Sequence, residues 1–447
     1  MVSETKSQSP FSTHLTRKGH EYFYRGTNGG FQTITGIPIT SLACLRCHPG
    51  VLPNGTPVDT TTYQPSCNDC HNFTIGYSVP DSTCKKCHSR QKVEIANYTD
   101  KHRSAGFSCV TCHPKEEMHL DATNYNSIFD TPPGKTCQST GCHVTIPVTG
   151  DDSLAHSIHI SKLECASCHA RAEINCYNCH FETELWSSMK GFKRPIGQLK
   201  GFIMLGRLPI QQNKIGLVNY QSTVYQGKSF NAYGPYYAHT IMPKDSTRTC
   251  DGCHNNANIN ELNTTGQLYV AKWDSATKKI IHKTGVIPIP SNYQDVFKFD
   301  FANYTGRIDT TYTDPTKWVF MKTGLDGQQM LPQYVLPLTN EQMQKLGYVI
   351  GIRKISSAVP EIYNLYQNYP NPFNPLTHIK IQIAKSGFVK LKVFDALGRE
   401  IAVLVNEIMK PGIYDVEFDG SGFSSGIYFY KLITNDYTQT KKMILIK

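Results

Sequence analysis

Sixteen cysteines occupy this 447-residue chain, and they come as eight pairs, each followed at once by a histidine. The pairs open at Cys44, Cys67, Cys84, Cys109, Cys137, Cys165, Cys176 and Cys250. Seven read C-x-x-C-H, and the one at Cys137 reads C-x4-C-H, as CQSTGCH. No cysteine follows Cys253, so a cysteine- and histidine-rich part comes first and a cysteine-free part last. Zinc ribbons use paired cysteines but need no histidine directly after each pair. Disulfides suit an even cysteine count in an exported chain, but they leave the histidines unexplained.

One chemistry uses all three residues of every motif. C-x-x-C-H is the attachment signature of a c-type haem: two thioethers anchor the vinyl groups and the next side chain reaches the iron. The thioether residues are then Cys44 and Cys47, Cys67 and Cys70, Cys84 and Cys87, and Cys109 and Cys112. Cys137 and Cys142, Cys165 and Cys168, Cys176 and Cys179, and Cys250 and Cys253 complete the set. The proximal iron ligands are His48, His71, His88, His113, His143, His169, His180 and His254. The motifs crowd into residues 44–254, about 26 residues per haem, which is too few for an ordinary side-chain core. The expected fold is therefore a multihaem cytochrome c, mostly short helices and loops wrapped on a haem chain, with few strands.

On these motifs the first part, about residues 1–290, resembles octahaem c-type cytochromes. The resemblance implies redox work in the periplasm or outside the cell, and does not by itself choose between a wire and an enzyme.

The sixth iron ligand decides that choice. A second histidine suits electron transfer, and an open position admits substrate. Outside the motifs the chain holds His14, His20, His102, His119, His156, His159, His239, His282 and His378. The first eight match the eight haems and are expected as distal ligands. His378 alternates with Ile379, Ile381 and Ile383 on the solvent face of a strand and is excluded.

The formal charge of +10 falls to about −6 once eight pairs of propionates are added. No block of five or six basic residues occurs, so nucleic acid is not an expected partner. No apolar run of about 18 residues spans a membrane as a helix, and MVSETKSQSP does not read as a signal peptide. The tyrosine-rich stretch YQSTVYQGKSFNAYGPYYAHT reads as a lid over haem faces, with a substrate pocket at Tyr236, Tyr237 and His239 as the competing reading. QLYVAKWDSATKKIIHKTGVIPIP reads as two strands around a turn, and PLTNEQMQKLG as a helix capped by Thr339 or Asn340.

From Tyr363 onward, alternating runs such as HIKIQIA, VKLKVFD, GIYDVEFD and GIYFYKLIT are separated by Gly, Pro and Asn turns. They predict a small all-β immunoglobulin-like sandwich. YPNPFNP, FDALGRE, PGIYDVEFD, SGIYFYKL and the terminal KKMILIK resemble the C-terminal sorting domain of the type IX secretion system. That resemblance implies export from a Gram-negative bacterium, to the cell surface or beyond, and the secretion machinery as a partner.

The expected domains are an octahaem cytochrome at 1–300, a haem-free closing segment and linker at 301–360, and the sandwich at 361–447. The expected function is extracellular electron transfer through eight haem c groups. Redox proteins or extracellular acceptors are the expected partners, with a homopolymeric filament as a further assembly. An octahaem reductase of nitrite, hydroxylamine or tetrathionate, with one open or weakly ligated haem, is the rival. No catalytic residue is assigned.

Overall fold

Runs of β-branched and aromatic residues between Leu199 and Tyr304 favour strands over helices, and strands are what form there. The computed structural model describes residues 12–25, 30–42, 51–59, 62–119, 125, 135–146, 153–180, 199–306, 315–323, 329–330, 334–348, 352–356 and 360–447. The chain divides into two compact units.

In the first unit, short helices run from Thr13 to His169, the longest being Ser89–Asn97. Strands follow: β1 (Glu173–His180), β2 (Leu199–Leu208), β3 (Lys214–Tyr225) and β4 (Lys228–Pro235). Next come β5 (Leu268–Asp274), β6 (Lys279–His282), β7 (Gly285–Pro288), β8 (Phe297–Tyr304), β9 (Trp318–Thr323) and β10 (Gln329–Met330). One sheet has the order β10-β4-β3-β1-β2-β7, and another β6-β5-β8-β9. Tyr177, Phe202, Tyr220, Tyr233, Phe299 and Phe301 are buried, with neighbouring ring centroids 5.4 to 6.4 Å apart. Burying each ring is worth about 1.5–3 kcal/mol. A smaller cluster of Tyr24, Phe31, Ile37, Ile39 and Leu42 packs on Phe230 of β4.

This architecture corrects the expected fold class. The unit is not mostly helix and loop with few strands; antiparallel pairing dominates its later part, and side chains build the core there. Even the motif opening at Cys176 lies on a strand, β1. The error came from spreading motif density evenly: residues 181–249 hold no cysteine, and their apolar runs have sheet material of their own. The stretch expected as a lid is instead β3 and β4. The predicted strand pair at 268–288 and the Thr339-capped helix (Asn340–Lys345) are present.

The second unit holds β11 (Ile352–Ser356), β12 (Asn364–Leu365), β13 (Leu376–Ile383), β14 (Gly387–Phe394), β15 (Glu400–Met409), β16 (Gly412–Asp419), β17 (Gly426–Ile433) and β18 (Thr438–Leu445). Its sheets run β11-β16-β13-β12 and β15-β14-β17-β18. Alternate residues bury a common core that includes Ile379, Ile381, Leu391, Val416, Tyr430 and Met443. His378 points outward and pairs with Asp415 at 3.1 Å, as its place in the alternation requires.

One hydroxyl fixes the entry to this sandwich. Tyr430 Oη donates to the Tyr366 carbonyl at 2.9 Å and accepts the Asn368 N–H at 2.8 Å. Asn368, itself buried, donates Nδ2 to Thr377 Oγ1 at 2.9 Å and to the Pro370 carbonyl at 3.1 Å. Tyr430→Phe strands a buried amide, so this unit is expected to lose about 1–3 kcal/mol. Amide exchange across residues 364–445 of the full chain measures the loss; unchanged protection would refute this role.

Candidate haem sites

A cysteine at i, a cysteine at i+3 and a histidine at i+4 share one side of a helical turn. Most described motifs adopt such a turn. Cys84 and Cys87 end the helix Asp81–Cys87, Cys109–Cys112 and Cys250–Cys253 each form one turn, and Cys165–His169 is a short helix. Ser66 with Asp69, and Ser108 with Thr111, form capping boxes at the turns that follow them. In each case the histidine N–H returns to the first cysteine's carbonyl: His71 to Cys67 at 3.0 Å, His88 to Cys84 at 3.0 Å, His113 to Cys109 at 2.9 Å, His254 to Cys250 at 2.8 Å. The longer motif closes the same bond, His143 to Cys137 at 2.8 Å. Gly141, at φ +82°, lets its two additional residues turn back. The twelve described cysteines are free of disulfides.

Five motif histidines stand ring to ring with histidines from outside the motifs. The centroids of His14 and His88 are 6.0 Å apart, and those of His71 and His119 5.9 Å. His102 lies 6.0 Å from His143, His113 6.2 Å from His239, and His156 6.3 Å from His169. Two metal–imidazole bonds of about 2 Å, plus about 1.2 Å from each nitrogen to its ring centre, would set the ring centres of two opposed ligands ~6.4 Å apart. Each pair thus has room for one metal ion. Among the described residues no three His, Cys, Asp or Glu side chains converge as a metal site.

Polar anchors place the non-motif rings. Ser12 caps the helix Thr13–Thr16 through the His14 N–H at 3.2 Å and donates to the Met118 carbonyl at 2.9 Å. That bond links the helix of His14 to the helix of His119 (Lys115–His119). Asp100 caps Lys101–Ser104 through the His102 and Arg103 amides at 2.9 and 3.0 Å. Its second oxygen accepts the Ile241 N–H at 2.6 Å, which pins the loop that carries His239. His239 also donates its amide to Glu94 at 3.2 Å.

Several rings have Nδ1 on an acceptor, which leaves Nε2 for a metal. His71 uses the Tyr77 carbonyl at 3.2 Å, His254 the Lys345 carbonyl at 2.6 Å, His159 the Ala155 carbonyl at 2.9 Å and His282 the Lys283 carbonyl at 2.9 Å. His113 uses the Glu117 carboxylate at 3.0 Å. Burial, then the neighbouring His88, lowers the pKa of His14 to about 4. Burial also lowers His119 and His169, and the Glu117 bond raises His113.

Neighbouring motifs touch through their first cysteines. The Cys84 and Cys109 thiols hydrogen-bond, and so do Cys137 and Cys165. Asp81 ties the first two together: it accepts the Cys109 N–H at 2.8 Å and pairs with Arg103 at 2.9 Å. Burial raises the Cys109 thiol to about 12 and the Cys70 thiol to about 11.

Cys44, Cys47 and His48 lie outside the described residues, as do the side chains of His20, Cys176, Cys179 and His180. Tyr236 is buried beside Glu94, and Tyr237 is exposed. His239 faces His113, which counts against the alternative pocket at an open metal. Sequence reasoning passed over Asp81, Glu94, Asp100 and Arg248. Asp100 was legible as a helix cap; Glu94 carried no signal.

Residues 367–447 match the family described as "Secretion system C-terminal sorting domain". The chain is thereby marked for type IX export to the surface or surroundings of a Gram-negative cell. It is similar to dimeric latent PorU from Porphyromonas gingivalis at 20% identity, over 20% of this chain and 10% of that one, with a TM-score of 0.17. It is also similar to PorZ, a surface component of the type IX system of the same organism, at 18% identity over 19% of this chain and 12% of that one, TM-score 0.14. The chain thus spans about a tenth of each solved relative. No curated protein matches it.

Arg248 clamps the motif at Cys165. Its guanidinium donates to the carbonyls of Ser167, Cys168, Ala170 and Arg171. Arg248→Ala is expected to cost about 1.5–3 kcal/mol locally. Faster amide exchange in residues 165–172 would report it, and unchanged exchange would refute the clamp.

Proposed function

We propose that this exported chain carries eight covalently bound haem c groups and conducts electrons outside the cell. The observation that supports this reading most is the set of five histidine pairs at 5.9 to 6.3 Å. Each joins a motif histidine to one outside the motifs, which is the donor set of a haem with two axial imidazoles. The paired cysteines of each described motif, which form no disulfide, would supply the covalent anchors. No helix-wrapped cytochrome fold is needed, because the paired histidines lie before the sheets, apart from His239 in the loop after β4.

Bound haem supplies one-electron exchange. The protein's part is positional. The paired cysteines would hold each group covalently, the paired imidazoles would ligate it and keep substrate out, and Nδ1 acceptors hold several of the rings in orientation. Thiol contacts between Cys84 and Cys109, and between Cys137 and Cys165, bring the attachment edges of consecutive groups together. Such spacing favours hopping between sites over chemistry at one of them. The partners are redox proteins or extracellular acceptors.

The oxidised holoprotein is expected to give eight haems per chain by pyridine haemochromogen assay, and low-temperature EPR that is essentially all low-spin. A chain with no covalent haem, or one loaded with zinc, refutes the proposal. His102→Ala is expected to keep the haem count and turn about one haem in eight high-spin. A low-spin spectrum unchanged by that substitution would remove His102 as a ligand.

A further inference from the structure

The His113–His239 pair differs from the other four in what stands behind its rings. His113 Nδ1 lies 3.0 Å from both oxygens of Glu117, whose side chain is 8% exposed. His239 Nδ1 lies 3.5 Å from Oε2 of Glu94, which is wholly buried. Among the described residues this is the one pair with a carboxylate at both rings. The His71 ring instead meets the neutral Tyr77 carbonyl. Glu94 is the carboxylate that stands beside the His239 ring.

Glu117 accepts from the His113 ring, and a carboxylate that accepts Nδ1–H makes an imidazole a stronger donor. A stronger donor stabilises oxidised iron over reduced iron, because the oxidised state carries more positive charge, and the Glu94 carboxylate beside the other ring acts in the same direction through space. Burial keeps water from screening either carboxylate. We propose that the haem between His113 and His239 has the lowest reduction potential of the five paired sites, and that Glu94 and Glu117 set it. This rests on the haem reading above.

The test uses the full-length holoprotein, Glu117→Gln, Glu94→Gln and the double variant. Haem per chain, low-temperature EPR and a potentiometric titration are recorded for each. Haem content and low-spin character are expected to hold. The most negative one-electron component is expected to become about tenfold easier to reduce in each single variant, a rise of about 59 mV, and further in the double. If Glu94→Gln fails to fold, Glu117→Gln alone carries the comparison. Haem-loaded variants whose most negative component does not move, or in which a different component moves, overturn the assignment alone. A wild-type chain without covalent haem overturns the haem reading and this assignment together.

Discussion

The bond from a motif histidine's N–H to the carbonyl of its first cysteine recurs through the cysteine-rich part of this chain. It forces two thiols and an imidazole onto one side of a turn, and it forms at Cys67, Cys84, Cys109, Cys137 and Cys250 alike. The C-x4-C-H motif shows how strong the constraint is. Two added residues leave the closing bond unchanged, because Gly141 takes up the excess in a left-handed turn. Everything else around the sites positions a second histidine against that fixed geometry.

What holds the second histidine is buried polar chemistry more than helix propensity. The helices concerned are short: Thr13–Thr16, Lys101–Ser104 and Lys115–His119 are one turn or little more. Isolated segments of that length do not persist in water. Ser12 and Asp100 each cap one helix and bond a distant segment, so a single side chain fixes both the turn and its place. Asp100 reaches Ile241, and the loop before Ile241 carries His239. One carboxylate thereby locates ligand candidates for two different motif histidines, His143 and His113.

The motifs, the tally of eight spare histidines and the C-terminal strands were legible in the sequence because each is a local pattern. All six long tail strands fall where period-two alternation put them, and His378 faces solvent for the same reason. The pairing of rings was not legible. His14 meets His88 and His239 meets His113 across long stretches of chain, and only tertiary contacts decide such matches. The strand content of residues 199–304 was misread for a different reason. Motif density in the cysteine-rich part outweighed the apolar runs of residues 199–304, which alternate enough to form sheets. Glu94 left no trace in sequence, since its role depends on burial against a loop 145 residues away.

The two halves of the chain solve their stability problem with different materials. The C-terminal sandwich buries a continuous core of alternating side chains and needs nothing added. The segment from Cys67 to His169 is poor in buried apolar residues, and its described cysteines are half-buried or exposed. Short capped helices over little apolar surface cannot offset their own ordering entropy. Flat apolar groups bound between the paired imidazoles would supply that missing burial, and the thiols stand where they would anchor them. Haem bound there, as proposed, would complete the packing of this segment, whereas the sorting domain buries a side-chain core of its own.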